Sequence, residues 1–257
     1  MGLPTARSTG LACVKAPYVA HCDSDDYVEP TMYEKLYSCA IQNDSDMVIC
    51  GRLHHLDGKE HAELDKPLMK ESFIYSFLYG RLSPCVWTRL TRTDIYRRVI
   101  FPTANICEDV VQTAQLLTFV SRVFFLNELL YHHICRPMSL TTDNRREMIE
   151  KKVQQGITNF YLFHDFIMDR HLAKEEDFII KKESIRFLYL PLIGQSGVCN
   201  KYLHTFQEIN FCLLVNRRVP LRTKLFHLLV ILGLYPVVRD TYHFFIKVFL
   251  KSTLSLF

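Results

Sequence analysis

Three carboxylates fall within four residues in the stretch YVAHCDSDDYVEP: Asp23, Asp25 and Asp26. Like charges at that spacing repel, so water, a helix N-terminus or a cation must compensate them. A polar turn that caps the next helix is one solution. A divalent metal is another, because hard cations take carboxylate oxygens, and magnesium-type sites combine one or two carboxylates with substrate phosphates. Asp23 and Asp25 are alternate residues at the end of a strand and can face one ligand. A second acidic pair, Glu108-Asp109, opens an apolar run, where acids in a first helical turn favour the helix dipole by about 0.3–1 kcal/mol. Arg7 and Arg136 carry planar guanidinium forks that match phosphate oxygens, or form ordinary ion pairs. His132 and His133 can bind metal or phosphate. Neighbours in a strand point opposite ways, so at most one of them serves. Trp87 can stack on a sugar or fill the core.

These groups need elements to hold them. The run APYVAHC reads as a short buried-type strand. EPTMYEKLYSCAIQ reads as a helix with Pro30 in a first-turn position and Met32, Leu36, Cys39 and Ala40 on one apolar face. SDMVICGRLHHLDGKEH reads as a strand and then a hairpin turning at Asp57-Gly58. Lys70 to Gly80 reads as helix, and SPCVWTRLTRTDIYRR as a loop leading into a short helix. CEDVVQTAQLLTFV is an amphipathic helix, and RVFFLNELLYHHIC gives two short strands around a turn at Asn127. Strands alternate with helices up to about Cys135, which is the pattern of an α/β fold. After Asp143 the stride is helical, with Ile149, Val153, Ile157, Phe160 and Ile167 on one face and breaks near Pro191–Gly197 and at Pro220.

The 257 residues are 49% hydrophobic and 23% charged, ordinary for a globular chain with a sizeable core. The nine cysteines include no C-x-x-C pair, which reads as reduced thiols of a cytoplasmic protein. From Lys201 onward eight Lys or Arg face only two acids, Glu208 and Asp240, in a very apolar context. That tail suits peripheral contact with an anionic membrane, at the inner face of the cell membrane, or simple solubility. Its apolar stretch from Leu228 to Val238 is short of the roughly 20 residues of a spanning helix. No dense basic run interleaved with aromatics points to nucleic acid.

Read together, the motifs resemble a family 2 glycosyltransferase of the GT-A type. Gly2, Ala6, Arg7, Gly10 and Leu11 fit its G-x-x-x-A-R-N-x-G-L element, with Ser8 in place of Asn, and Asp23-Ser24-Asp25-Asp26 fits its D-x-D-D turn. VWTRL looks like its W-x-K-L segment, with Thr88 and Arg89 as departures. FPTANICEDVV matches a helix start of the form F-P-x-x-x-x-x-E-D, and LLYHHICRPMSLT matches L-Y-x-Y-x-x-R-x-x-S, with His133 for an aromatic. The resemblance covers roughly residues 1 to 143. It implies a partial GT-A, Rossmann-like nucleotide-sugar transferase sheet over 1–143; the helical stride and the basic apolar tail read 144–257 as a helical C-terminal region suited to membrane contact.

What the resemblance implies chemically is transfer of a sugar from a nucleotide-diphosphate donor to a hydroxyl of a saccharide or lipid-linked acceptor, with inversion, in cell-surface polysaccharide synthesis. A divalent metal, Mn²⁺ or Mg²⁺, would neutralise the departing diphosphate. By resemblance, Asp25 is its main ligand, with Asp23 near the ribose or the metal and His132 a further candidate. Asp109 is the base with Glu108 beside it, and Arg7, Asp23, Trp87 and Arg136 contact substrate. The family carries further strands ahead of the Arg7 element, so the strand YVAHC is expected as an exposed edge. Two other readings stay open: a non-catalytic remnant or partner-dependent half of such an enzyme, and a different metal-dependent phosphate enzyme using Asp23, Asp25 and Asp109.

Overall fold

The computed structural model describes residues 2–236 apart from 57, 68–71, 138 and 141. In chain order the strands and helices up to the last strand are α1 (Leu3–Cys13), β1 (Tyr18–Ala20), β2 (Tyr27–Val28), α2 (Met32–Gln42), β3 (Met47–Leu56), β4 (Lys59–Glu63), α3 (Phe73–Leu78), β5 (Arg89–Arg92), α4 (Thr93–Tyr96), α5 (Glu108–Phe119) and β6 (Val123–Ile134). Helices α6 (Arg146–Met168), α7 (Ile179–Phe187), α8 (Val198–His204), α9 (Ile209–Val215) and α10 (Leu221–Ile231) follow. The chain is thus α/β with a helical C-terminal region. The turn residue Asp57, the start of the expected helix at Lys70 and the tail beyond 236 lie outside the described residues.

One mixed sheet runs β1-β5-β3-β6-β2, with β4 paired to β3 as a hairpin. β3 and β6 are parallel, while β5 runs antiparallel between β1 and β3. The alternation along β3 explains why helices cover both faces. Met47 and Ile49 point into one cluster with Leu11 of α1, Val19, Tyr96 and Leu116 of α5. Val48 and Cys50 point into the other, with Met32, Leu36 and Ala40 of α2, Trp87 and Tyr131. The spacing of four that marked the α2 face in the sequence is the face that is buried. A third and larger cluster joins Val110, Val111 and Leu117 of α5 to Ile149, Phe160, Phe163 and Ile167 of α6 and to the helices beyond.

Three local expectations change. α1 was not anticipated as a helix; Pro4 opens it, and Pro4, Arg7 and Leu11 form its buried side. The segment read as a loop before a short helix contains β5. This strand is only four residues long, and its first residue is a buried arginine, so neither length nor hydrophobicity announced it. Arg89 fits there because it donates to the carbonyls of Pro84 and Cys85 at 3.1 and 2.9 Å and to the Thr113 hydroxyl at 2.8 Å. Finally, Asn127 does not end a strand. β6 is continuous, and the extra residues are absorbed where the register with β3 shifts around Gly51.

β1 is an edge: it pairs with β5, and no other described strand lies beyond it. Tyr18 and Val19 are nevertheless buried, each 8% exposed. At the register shift, a Cβ on Gly51 would sit 2.3 Å from a Leu64 methyl, 2.8 Å from a Leu129 methyl and 3.0 Å from the Glu63 carbonyl. Gly51→Ala should therefore destabilise the sheet by about 1–3 kcal/mol through overpacking. The midpoint of urea unfolding measures this; an unchanged midpoint would mean that β4 and β6 yield freely there.

Candidate active site

The acidic turn leaves the carboxyl end of β1, where open α/β sheets place ligands. Its three aspartates have separate surroundings. Asp26 is structural: its two oxygens accept from the Ile134 amide at 2.8 Å and the Tyr131 hydroxyl at 2.9 Å. Burial raises its pKa, and those two donors oppose the rise. The Tyr131 hydroxyl also accepts from the Asp23 amide at 3.1 Å, so one fully buried tyrosine of β6 fixes both ends of the turn. Asp25 is exposed, and among the described residues its carboxylate takes no hydrogen bond; its carbonyl accepts from Arg136 at 2.9 Å. Asp23 is half-buried and pairs with Arg7 at 3.0 Å.

Arg7 is the centre of the site. It lies on the buried side of α1, and its other terminal nitrogen reaches Glu108 at 2.6 Å. One guanidinium therefore joins the turn after β1 to the first turn of α5. Burial works against its charge, but Glu108, Asp23 and Asp109 outweigh that cost and keep it firmly protonated. Burial, and then the neighbouring Asp109, raise Glu108 above the ordinary carboxylate range while Arg7 pulls the other way. Burial also raises Asp109, against Arg7, the Val110 amide at 2.8 Å, Arg89 and Lys181. Cys107 precedes the pair in a left-handed conformation (φ 61°), which turns the chain sharply into α5. At the end of β1, burial and then Arg7 push the His21 imidazole down to about 4, so it is neutral beside Arg7.

The other expected residues divide. Trp87 is 7% exposed and stacks on Tyr131 and His133 at centroid distances of 4.2 and 5.7 Å, which makes it a wall of the core. Arg136 is exposed at the mouth of the turn. His132 is turned elsewhere: its nitrogens meet Glu29 at 2.8 Å and His55 at 2.9 Å, and its ring lies flat on Tyr27. His133 faces the opposite way, as strand alternation requires, and meets His54 at 3.0 Å. Asp23, Arg7, Glu108 and Asp109 are thus brought together with Asp25 at the rim. The contributions missed from sequence are Tyr131, whose role depends on the path of β6, and Lys181 of α7, a buried ammonium that acts on Asp109. Only a lysine amid an apolar run could have signalled the latter.

Removing the central cation leaves the buried Glu108 and the half-buried Asp23 without their partner. Arg7→Met should destabilise the fold by about 3–5 kcal/mol at neutral pH. The loss should grow as pH rises through and above about 8, where Glu108 gives up its proton with no cation beside it, and shrink below that, where Glu108 is protonated. Denaturant unfolding of both proteins at mildly acidic and mildly alkaline pH measures this; an equal loss at both would contradict it.

The model of the family described as "Glycosyl transferase family 2" matches residues 1–101. Among curated proteins, the chain is similar to the "Uncharacterized glycosyltransferase EpsJ" of Bacillus subtilis (26% identity; 60% of this chain and 48% of that one). It is also similar to the "Cholesterol galactosyltransferase" of Borreliella burgdorferi (29% identity; 55% and 44%). Among solved structures, S. aureus TarS 1-349 is similar at 17% identity over 94% of this chain and 71% of that one, with a TM-score of 0.47. The chain spans about half the length of the curated relatives it matches. The matched region carries α1 with its arginine, the acidic turn and the strand it leaves, and over that region the chain is similar to glycosyl transferase family 2.

Proposed function

We propose that the chain transfers a sugar from a nucleotide-diphosphate donor to an acceptor hydroxyl, with inversion at the anomeric carbon. The observation that carries this reading is the Arg7 bridge, which sets Asp23 of the acidic turn against Glu108, next to Asp109. Residues 1–143 form the transferase unit; of the helical region assigned to 144–257, the described part up to residue 236 packs against α5.

In this mechanism Asp109 is the base. It must accept a proton from the acceptor hydroxyl as that oxygen attacks, and burial suits it to do so by raising its proton affinity. Arg7 keeps Glu108 paired, so a single carboxylate is left to take the proton. Arg136, exposed beside Asp25, reaches phosphate oxygens of the donor. The donor set at the turn fits a hard divalent cation, Mn²⁺ or Mg²⁺: the Asp25 carboxylate is exposed and unengaged among the described residues, and Asp23 stands beside it. His132 drops out of the ligand set because its ring is held by Glu29, His55 and Tyr27 and, among the described residues, meets neither Asp23 nor Asp25. Asp25 and Asp23 would hold the ion, which supplies charge neutralisation for the diphosphate.

The acceptor is a saccharide or a lipid-linked sugar of a cell-surface polysaccharide, met at the inner face of the membrane. Exposed Phe211 and Leu221, 73% and 70% accessible, together with Arg217 and Lys224 support contact with an anionic surface. No described helix is long and apolar enough to cross a membrane. A second reading, a partner-dependent half of such an enzyme, is supported by β1, whose outer edge pairs with no described strand.

The test is binding of uridine or guanosine diphosphate by the full chain with Mn²⁺, followed by transfer. Asp25→Ala should abolish metal-dependent binding without unfolding. Asp109→Asn should keep binding and lower the transfer rate by roughly 10²–10⁴-fold. Because Asp109 must be deprotonated to act, kcat/KM should fall as pH falls, with its acid limb above the ordinary aspartate value of about 3.9. A folded chain that binds neither nucleotide at any Mn²⁺ concentration would leave the partner-dependent reading in place.

A further inference from the structure

Away from the acidic turn, His54, His133 and Cys135 place one ligand atom each within 4.8 Å of one another. The sheet builds this cluster directly. His54 of β3 and His133 of β6 are register partners in the parallel pair, so their side chains share a face. Cys135 follows two residues after His133 and returns to the same face, anchored by its amide to the His55 carbonyl at 3.0 Å. The His54 and His133 Nδ1 atoms are 3.0 Å apart, and Cys135 Sγ is 3.6 Å from His133 Nδ1. Tetrahedral bonds of about 2.0–2.1 Å to nitrogen and 2.3 Å to sulfur require edges of about 3.3 and 3.6 Å.

We propose that His54, His133 and Cys135 bind a zinc-type divalent cation, with solvent in the fourth position. Two imidazoles and a thiolate are the donors of a borderline-soft ion, whereas the carboxylates of the acidic turn suit a hard one. The surroundings complete such a site. Glu63 of β4 stands 3.0 Å from His54 Nε2, the nitrogen that must carry the proton when Nδ1 holds a metal. Arg52 Nε lies 3.1 Å from the same nitrogen and would give up that contact while keeping Glu63 at 2.6 Å. Trp87 stacks on His133 with an interplanar angle of 12° and holds the ring in place. All three ligands are half-buried, so an ion can enter from solvent. The ion would tie β3, β4 and β6 together, independently of any sugar transfer.

Trp87 is the single tryptophan of the chain and serves as a reporter. Chelator-stripped, reduced full-length chain is titrated with Co²⁺ alone. Expected are a thiolate-to-cobalt charge-transfer band, the strong visible bands of a tetrahedral site and quenching of Trp87 emission, all reversed by Zn²⁺. Cys135→Ser should abolish the charge-transfer band and weaken binding at least about tenfold, and Glu63→Gln should weaken it about 10–100-fold with the band retained. Asp25→Ala should leave band and affinity unchanged. Circular dichroism confirms that each variant is folded. The proposal is overturned if the folded wild type shows no charge-transfer band, if Cys135→Ser retains it, or if Asp25→Ala removes it.

Discussion

A single buried cation organises this protein's chemistry. Arg7 reaches two carboxylates that belong to different elements, one after β1 and one at the start of α5. An ion pair so enclosed gains strength from its low-dielectric surroundings, yet each charge loses much of its hydration. The arrangement is therefore unforgiving: Arg7, Asp23 and Glu108 hold one another in place. It also settles where the remaining acids go. Glu108 is committed to Arg7, Asp26 to the amide and hydroxyl of β6, and Asp25 alone is left facing solvent.

The division of labour among neighbouring acids is the more general lesson. Asp23, Asp25 and Asp26 look equivalent on paper. Their environments make one an ion-pair partner, one a solvent-facing carboxylate and one a staple. The same holds for His132 and His133, which strand alternation sends to opposite faces. One joins Tyr27, His55 and Glu29, and the other joins His54, Cys135 and Trp87. The sheet thus supports two chemically distinct donor sets, hard oxygens beyond β1 and soft nitrogen and sulfur between β3 and β6.

The helical region is more than an appendage. Its apolar residues share one cluster with α5, the helix that carries Glu108 and Asp109. Lys181 of α7 brings a buried positive charge towards Asp109 from that side. Deeper in, Arg186 is fully buried against Glu183 and donates to the Phe206 carbonyl at 2.8 Å and to Asn210 at 2.7 Å. Such satisfied polar groups fix how the short helices meet, where apolar contacts alone would allow several packings.

Composition and pattern by themselves determined the α/β class, the helical stretch after Asp143, the α2 face of Met32, Leu36 and Ala40, and the position of the acidic turn at a strand's end. These are local properties: they follow from periodicity and from the charge of adjacent residues. The motifs likewise marked Arg7, Glu108 and Asp109 as belonging to one site. Only the tertiary structure decided what each does there. β5 is too short and too polar to be read as a strand, and it exists because buried carbonyls and Thr113 satisfy Arg89. Trp87 became core because Tyr131 and His133 lie against it, and the continuity of β6 depends on a register shift beside Gly51. Above all, pairings such as Arg7 with Glu108 and His54 with His133 join residues about a hundred and about eighty positions apart. No local pattern encodes a contact of that range, since it is set by strand order and register.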